Sequence, residues 1–339
     1  MDTAIIGASG YAGEEAVRLL ARHPRLRLAA LTSRQFAGQR AGDVVGGLTR
    51  SRDLLFEDLS PEAVAGRAEI FFLALPHGVS ASYAVPLRRA GKTVVDLSAD
   101  FRLRDAAVYK EFYGQDHPAP ELLGQAVYAL PELHAEACAK ADFFAAPGCY
   151  PTALLLALAP AVQAGLLDLD TLAASAISGV TGAGKKVELP YLFGEIDENL
   201  RPYGVTGHRH LSEIEQELGL LAGRSVALTF TPHLAPLRRG IAATVSARLA
   251  KPLSQAGAQS LYEAFYAGKP FVRVLPGGAL PEVRRVAGTN FAEVAVRVDA
   301  RTGRLLLFSA IDNLVKGTAG QGIQALNLRL GFPEEEGLL

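Results

Sequence analysis

Cys149 is the residue whose type and position point most directly to chemistry. It stands in the motif Pro-Gly-Cys-Tyr-Pro-Thr at 147–152, after a strand-like run at 142–145 and before the apolar run at 153–159. Pro151 suits the first position of a helix, where its missing N–H costs nothing. Cys149 is therefore expected just ahead of a helix N-terminus, whose dipole and N–H groups favour a thiolate. A buried cysteine without chemistry is the competing interpretation, and this segment alone leaves both open.

Two histidines offer the proton transfers that such a thiolate needs. His208 and His210 lie in an irregular segment, and the capping-box pattern at 212–215 predicts that a helix begins at Ser212. An imidazole titrates near neutral pH and can give or take a proton. No carboxylate or cysteine follows at zinc-like spacing, so no metal is expected. A structural role for the histidines stays open.

Two further segments carry candidate anion-binding groups. Arg102 follows Asp100 at the end of a predicted strand, and the run at 179–186 combines glycines with Lys185 and Lys186. Arg102 either pairs with Asp100 or meets a carboxylate or phosphate of a substrate. Glycines beside lysines suit an anion site, although a solvated turn has the same composition.

The N-terminal segment has the pattern of a dinucleotide-binding turn. A strand at 3–6 leads into Gly7, Gly10 and Gly13, and a helix is predicted at 14–21. The spacing is G-x-x-G-x-x-G rather than G-x-G-x-x-G, but glycine still permits the tight turn and the helix start still receives a pyrophosphate. The position after the first strand favours a nucleotide site over a bare turn.

The end of the second predicted strand, at 26–32, indicates which dinucleotide binds. Ser33 and Arg34 follow this strand, where an NAD enzyme usually carries an acid for the ribose 2′-hydroxyl. A hydroxyl and a guanidinium suit a 2′-phosphate, so NADP(H) is expected. A solvated loop charge is the alternative for Arg34.

The order of predicted elements gives the fold class. Strands and helices alternate through the first part of the chain, with further strands at 68–75 and 92–97, which predicts a Rossmann-type doubly wound parallel sheet. Later strands at 172–178, 225–232, 239–247, 271–274, 291–299 and 305–311 have few helices between them. They predict an α+β domain with a mixed sheet. The expected domains are 1–148 for NADP, 149–312 for catalysis and oligomerisation, and 313–339 as a helix returning to the first.

Composition excludes several classes of protein. The 339 residues allow two domains, 49% of them hydrophobic, and the net charge of −1 argues against a nucleic-acid or membrane-surface binder. The two cysteines, Cys138 and Cys149, fit a reducing cytoplasm, and Cys138 is interpreted as packing. A strand at residue 3 leaves no room for a signal peptide, and no apolar run approaches the ~20 residues of a membrane span. A cytoplasmic location is expected.

A series of motifs in order resembles the N-acetyl-gamma-glutamyl-phosphate reductase family, the arginine-biosynthesis relatives of aspartate-semialdehyde dehydrogenases. The motifs lie at 7–13, 75–78, 96–102, 147–152, 178–184, 207–210 and 312–317. Each is weak alone, but together they cover nearly the whole chain. The resemblance implies NADPH-dependent reduction of N-acetyl-L-glutamyl 5-phosphate to the semialdehyde with release of phosphate, in a homodimer or homotetramer.

The resemblance also implies roles for individual residues. Cys149 becomes the nucleophile that forms a thioester, His210 the acid/base with His208 close by, and Glu213 a candidate orienter. Candidates for the substrate's carboxylate or phosphate are Arg102, Ser178, Lys185 and His208. Candidates for the cofactor are Gly7, Ser9, Gly10, Tyr11, Ala12, Gly13, Ser33, Arg34, Pro76, Ser98, Gly182 and Asn313, the last for the nicotinamide amide.

Other functions stay open on the same residues. A sister reductase would act on aspartyl phosphate or on a carrier-linked aminoadipyl phosphate, and the pair Tyr150-Pro151 favours the arginine enzyme over the latter. An NADP-sensing protein would bind the cofactor without a reactive thiol. A hydrolytic cysteine enzyme is weaker, because the nucleotide turn has no place in it.

Overall fold

The structure, a computed structural model, describes residues 1–185 and 187–339. Lys186 of the predicted glycine–lysine loop lies outside the described residues. The chain divides into two compact units, Met1–Pro147 with Thr318–Leu339, and Gly148–Gly317. The cofactor and oligomer roles expected of the two domains stay predictions.

The first unit is built on a parallel sheet. Its strands are β1 (Asp2–Ile6), β2 (Arg27–Thr32), β3 (Phe56–Glu57), β4 (Ile70–Leu73), β5 (Thr93–Asp96), β6 (Val127–Tyr128) and β7 (Phe143–Ala145). They lie in the order β3-β2-β1-β4-β5-β7-β6, and every pairing is parallel. β4 is a continuous run of fully buried apolar residues, as expected of a strand covered on both faces. The predicted Rossmann-type sheet is confirmed.

Helices connect these strands. They are α1 (Tyr11–Arg22), α2 (Ala41–Val44), α3 (Pro61–Ala65), α4 (Ala81–Arg89), α5 (Ala106–Tyr113) and α6 (Pro131–Cys138). The winding direction changes beside β1, which lies between β2 and β4. The turn from β1 into α1 therefore stands at the topological switch point, where ligands of such sheets bind.

The second unit is built on a mixed sheet. Its strands are β8 (Leu167–Ser178), β9 (Arg201–Pro202), β10 (Thr229–Leu234), β11 (Ile241–Leu249), β12 (Val272–Val274), β13 (Ala292–Asp299) and β14 (Arg304–Ile311). The order is β12-β13-β14-β11-β8-β10-β9, with β10–β8 and β12–β13 parallel and the other pairs antiparallel. The predicted mixed sheet is confirmed. β8 begins at Leu167, earlier than predicted, because its leucines alternate with aspartates and give one buried face.

Helices of the second unit cover this sheet. They are α7 (Cys149–Gln163), α8 (Phe193–Ile196), α9 (His210–Ala222), α10 (Gln255–Phe265) and α11 (Val283–Val286). α7 is buried from Tyr150 to Val162 and packs against β11, β14 and α9. Pro160 has no N–H for the carbonyl of Leu156, which accepts instead from the Tyr266 hydroxyl at 2.5 Å. A helix that starts at the candidate nucleophile is therefore held rigidly in the core.

The chain ends with a π-helical segment, Val315–Ala319, and α12 (Gly320–Arg329). α12 packs on β5, β7 and α6 within the first unit. A Cβ at Gly322 would lie 2.9 Å from a methyl of Val95, so glycine permits this close approach. In the described residues, no helix combines the length and apolar character needed to cross a bilayer.

Candidate active site

Cys149 is the first residue of α7, and Gly148 is its N-cap in an extended conformation. The sequence placed Cys149 ahead of the helix and Pro151 at its first position; the helix begins two residues earlier than Pro151. The backbone carbonyl of Gly148 accepts from the amide and the hydroxyl of Thr152, each at 2.9 Å. The partly buried Cys149 thus belongs to the first turn, where helix N–H groups and the dipole favour the ionised form of its thiol.

His210 is the first residue of α9, so the predicted start at Ser212 is wrong. Ser212 lies inside the first turn, and its hydroxyl donates to the carbonyl of Arg209 at 2.8 Å rather than capping the helix. The imidazole of His210 lies directly against Gly148. A Cβ on Gly148 would be 2.5 Å from His210 Nε2, so only glycine at 148 admits the ring in this position.

Glu213 connects the cysteine turn to His210. It is fully buried, and its Oε2 accepts from the backbone N–H of Gly148 at 3.0 Å. Its Oε1 lies 3.9 Å from His210 Nε2, a charge contact longer than a hydrogen bond. The carboxylate therefore fixes the residue preceding the thiol and favours a positive charge on the neighbouring imidazole.

His208 differs from His210 in its environment. Its Nδ1 accepts from the backbone N–H of His210 at 3.2 Å, and its ring meets Tyr203 edge-on at 5.5 Å. Burial, helped by the charge of Arg209, lowers the pKa of His208 to about 4. His208 is thus a neutral hydrogen-bond acceptor at neutral pH, which leaves His210 as the better candidate for proton transfer.

The π-helical segment bounds the other side of the thiol. A Cβ on Gly317 would lie 2.8 Å from the Cβ of Cys149. Gly317 is held by its N–H, which donates to the Asp312 carbonyl at 2.8 Å. The buried Asp312 carboxylate accepts from the backbone N–H groups of Leu314 and Val315 and pairs with Arg239 at 2.7 Å. π-Helical turns are often found at functional sites.

The remaining second-unit candidates belong to two interlocked loops. The loop after Ser178 is fastened to the loop before β11, because Gly179 N donates to Gly240 O at 3.0 Å and Val180 N to Leu237 O at 2.8 Å. The Ser178 hydroxyl donates to the Gly179 carbonyl, and the exposed Lys185 lies farther along.

Asn313 joins the same loops through its side-chain amide. Asn313 Oδ1 accepts from Gly240 N at 2.6 Å, and Nδ2 donates to the Thr181 hydroxyl at 3.0 Å. Gly182 adjoins the amide, since a Cβ there would lie 3.8 Å from Asn313 Nδ2.

The glycine turn of the first unit fits a dinucleotide. Gly7 has φ +79°, and a Cβ on it would lie 2.5 Å from the carbonyl oxygen of Ala74. A Cβ on Gly13 would lie 2.3 Å from the carbonyl oxygen of Gly7. Gly10 is the N-cap of α1, with no side chain of the described residues capping it, and Tyr11 and Ala12 open the helix. Such a bare helix start is suited to a pyrophosphate.

The hydroxyl groups beside this turn fit a 2′-phosphorylated ribose. Ser9 and Ser33 share a hydrogen bond of 2.8 Å, and the Thr32 hydroxyl accepts from the N–H of Gly7 at 3.1 Å. Arg34 follows as an exposed cation. The position that would carry an acid in an NAD enzyme therefore offers hydroxyls and a positive charge.

Arg102, Ser98 and Pro76 lie at the carboxyl ends of β4 and β5. The buried guanidinium of Arg102 donates to the carbonyls of Ala146 at 2.7 Å and Leu97 at 3.0 Å, so these described bonds brace backbone. The Ser98 hydroxyl donates to the buried carboxylate of Asp96 at 2.8 Å, and Pro76 is exposed.

Two family models match the chain in the order of the two units. Residues 2–141 match the semialdehyde dehydrogenase NAD binding domain, and residues 149–313 match the semialdehyde dehydrogenase dimerisation domain.

Relatives that match nearly the whole chain identify the family more closely. The chain is 50% identical over 330 residues to an N-acetyl-gamma-glutamyl-phosphate reductase of Moorella thermoacetica, covering 97% of this chain and 95% of the relative. The reductase of the same name from Desulfotalea psychrophila is 48% identical, covering 99% of this chain and 97% of the relative. The chain belongs to the N-acetyl-gamma-glutamyl-phosphate reductase family. The family assigned from the sequence motifs is confirmed.

Solved structures of more distant proteins share the fold of this reductase family member. Aspartate semialdehyde dehydrogenase II of Vibrio cholerae superposes with a TM-score of 0.76 at 19% identity, covering 97% of this chain and 98% of that one. The aspartate semialdehyde dehydrogenase of Candida albicans, solved with NADP, gives 0.68 at 17% identity, covering 97% and 98%. At these identities the likeness establishes the fold alone.

The supporting roles of several residues of this protein were missed in the sequence. Asp312 and Arg239 stand 73 positions apart and form the part-buried pair that anchors the segment of Gly317. Asp100 accepts from Gly78 N at 2.6 Å and from Ala81 N at 3.2 Å, and so fastens the turn after β4. The sequence signal for these residues was the presence of acids within the motifs at 96–102 and 312–317. That signal marked the acids as important but did not show which groups they bind.

Proposed function

We propose that the protein reduces N-acetyl-L-glutamyl 5-phosphate to N-acetyl-L-glutamate 5-semialdehyde, with NADPH as reductant and release of phosphate. The observation that carries the proposal is a chain matching such reductases from end to end, with a cysteine as the first residue of a buried helix. An acyl phosphate needs a nucleophile, a proton donor and an anion pocket, and each has candidates in the described residues.

Cys149 starts the reaction. Its thiolate attacks the acyl-phosphate carbonyl, the new S–C bond forms, and the C–O bond to phosphate breaks with the electron pair leaving on phosphate. The enzyme then holds a thioester on Cys149, which divides one difficult step into two easier ones. Backbone N–H groups in the first turn of α7 are placed to stabilise the tetrahedral oxyanion, a contribution of ~10²–10³ in rate per donor.

His210 moves the proton. It takes the thiol proton before attack and gives that proton to the oxyanion formed when the thioester carbonyl is reduced. It takes the proton back from the thiohemiacetal hydroxyl as the C–S bond breaks to give the aldehyde and the Cys149 thiolate. Glu213 favours the imidazolium form through its charge contact and holds Gly148 in place. His208, neutral because burial lowers its pKa to about 4, offers a hydrogen-bond acceptor rather than a charge.

The first unit holds the cofactor in this proposal. The start of α1 takes the pyrophosphate, and Ser33 and Arg34 take the 2′-phosphate, so NADPH binds in preference to NADH. When bound, the nicotinamide supplies the hydride that reduces the thioester. Lys185 and Arg102 are the candidate cations for the substrate's charged groups.

The quaternary and cellular setting completes the proposal. A homodimer or homotetramer through the second sheet accords with the dimerisation-domain model that matches residues 149–313. A cytoplasmic place in arginine biosynthesis accords with the two-cysteine composition.

The reverse reaction tests the proposal. Purified protein is given N-acetylglutamate semialdehyde, inorganic phosphate and NADP, and NADPH formation is followed by absorbance. Aspartate semialdehyde and aminoadipate semialdehyde are run beside it. We expect kcat/KM for the acetylated glutamate substrate to exceed the others by ~10²-fold or more, a size typical of discrimination by a shaped polar pocket. Equal rates for aspartate semialdehyde would overturn the substrate assignment.

A further inference from the structure

Tyr150 occupies a central position in the second unit for which the proposed reaction has no use so far. It follows Cys149 in the first turn of α7 and is 2% exposed. Its ring meets His208 edge-on at 5.4 Å and His210 at 5.9 Å between centroids. One aromatic ring therefore touches both imidazoles while its backbone adjoins the candidate nucleophile.

The hydroxyl of Tyr150 both accepts and donates a hydrogen bond. It accepts from the Tyr203 hydroxyl at 3.0 Å and donates to the carbonyl of His233 at 3.4 Å. Burial raises the pKa of Tyr150 and of Tyr203, so both hydroxyls stay protonated at neutral pH and keep these donor roles. The ring is thus fixed to β10 through His233 and to the segment before α9 through Tyr203.

Phe230 closes the cluster from the sheet. It meets Tyr150 at 5.2 Å and His208 at 5.6 Å, both edge-on. Edge-to-face contacts of this kind contribute ~0.5–1.5 kcal/mol each beyond simple burial and fix the relative angles of the rings. The angles of both imidazoles are consequently set by aromatic neighbours rather than by solvent.

We propose that Tyr150 is a positioning residue for the reaction, which holds His210 at the angle needed for proton transfer to and from Cys149. The proposal rests on the proposed function. Cys149 and Tyr150 share one rigid helical turn, so a ring that fixes the imidazoles to this turn also fixes their distance from the sulfur. A misplacement of ~1 Å in a catalytic group can cost ~10²-fold in rate.

Tyr262 offers a matched control on the same helix. It is also a fully buried tyrosine of the second unit, and its hydroxyl donates to the carbonyl of Ala157 in α7 at 2.6 Å. Among the described residues, the rings in contact with His208 and His210 do not include Tyr262. Tyr262→Phe removes a comparable hydrogen bond from the helix without disturbing the imidazoles.

The experiment compares Tyr150→Phe, Tyr150→Leu, Tyr203→Phe and Tyr262→Phe by kcat and KM in the reverse assay. Tyr150→Phe keeps the ring and loses its tether, and we expect kcat to fall ~10-fold, the equivalent of one hydrogen bond. Tyr150→Leu loses the ring as well, and we expect its kcat to fall ~10²-fold. We expect kcat of Tyr203→Phe to fall less than kcat of Tyr150→Phe. KM for NADP stays within about twofold throughout, and Tyr262→Phe keeps the wild-type kcat.

Two measurements that need no turnover separate this proposal from the proposed function. One is the rate of Cys149 alkylation against pH, and the other is an NMR titration of His208. In Tyr150→Leu, water reaches His208 and its pKa rises from about 4 toward the ordinary value of 6.5, while the alkylation profile shifts. If wild-type protein fails the reverse assay but these shifts occur, the positioning role stands and the substrate assignment falls.

The opposite pattern overturns the positioning role. A Tyr150→Leu protein with kcat within about threefold of wild type, or with unchanged alkylation and His208 titration, would show that Tyr150 only packs. The control could also overturn the proposal. If Tyr262→Phe and Tyr150→Phe have the same urea midpoint and lose the same factor in kcat, then any weakening of α7 lowers kcat and Tyr150 has no special role.

Discussion

The glycine turn of the first unit and the cysteine site of the second are built by opposite means. The glycine turn lies within residues 7–13, and its capacity comes from backbone N–H groups and from missing side chains. The cysteine site brings together residues at 148–150, 203–213 and 312–317, and its capacity comes from buried side chains.

The difference concerns what each site can tolerate. A backbone site depends on room, so any added atom blocks it, whereas exposed charges around it tune affinity and selectivity. A site of buried side chains depends on angles, so removing one group leaves its partners misplaced or unpaired. Changes at the glycine turn should therefore act mainly on KM for the cofactor, and changes at the cysteine site mainly on kcat.

The largest expected effect tests whether the second unit carries the chemistry. Cys149→Ser should keep NADP binding and lose turnover by ~10³-fold or more, because a serine hydroxyl is not ionised at neutral pH. Turnover in the reverse assay and NADP binding by fluorescence measure the two properties. Cys138→Ser is the control and should keep both, since Cys138 is buried in α6 of the first unit. Near-normal turnover of Cys149→Ser would end the covalent mechanism.

A pair of glycine substitutions sharpens the comparison directly. Gly148→Ala would place its Cβ 2.5 Å from His210 Nε2 and displace the imidazole, and we expect kcat to fall ~10²-fold with KM for NADPH little changed. Gly13→Ala would place its Cβ 2.3 Å from the Gly7 carbonyl, a backbone atom, and should raise KM for NADPH instead. Steady-state kinetics of both variants measure these changes. The comparison between the two sites would be contradicted if Gly148→Ala mainly raised KM for NADPH and Gly13→Ala mainly lowered kcat.

A smaller effect concerns cofactor choice in the first unit. Arg34→Ala should raise KM for NADPH ~10-fold, about 1.4 kcal/mol, and leave KM for NADH nearly unchanged, because only NADPH carries the 2′-phosphate. Arg40→Ala is the matched control, an exposed arginine of the same unit that pairs with Asp53. Equal effects of Arg34→Ala on the two cofactors would remove Arg34 from the phosphate site.

The smallest effect follows from the buried histidine of the second unit. The folded pKa of His208, about 4, lies below the unfolded value of 6.5. As pH falls below 6.5 the unfolded chain takes up a proton that the folded chain refuses, so stability declines by about 1 kcal/mol per pH unit until pH 4. Urea midpoints measured between pH 7 and pH 5 should therefore fall more steeply for wild type than for His208→Asn. Parallel slopes would show that His208 is already hydrated.

The glycine turn was predictable because its determinants are local. A strand, three glycines and a helix follow one another in the chain, and the absence of an acid after β2 is a property of two neighbouring residues, Ser33 and Arg34. The class of the first sheet was predictable for a similar reason, because the order of apolar runs along the chain shows that strands alternate with helices. The first residues of helices were predicted less accurately. Both α7 and α9 begin two residues earlier than the sequence indicated, at Cys149 and His210.

The sequence by itself determined the fold class, the family and the identity of the chemical groups, because these depend on residue types and on neighbours along the chain. Only the tertiary structure decided how the groups are used. It separated a neutral His208 from His210, placed Glu213 on the amide before the thiol and set Gly317 against Cys149. The physical reason is that burial, imidazole angle and steric closeness arise from residues tens to more than a hundred positions apart, and a spacing pattern holds no information about such distances.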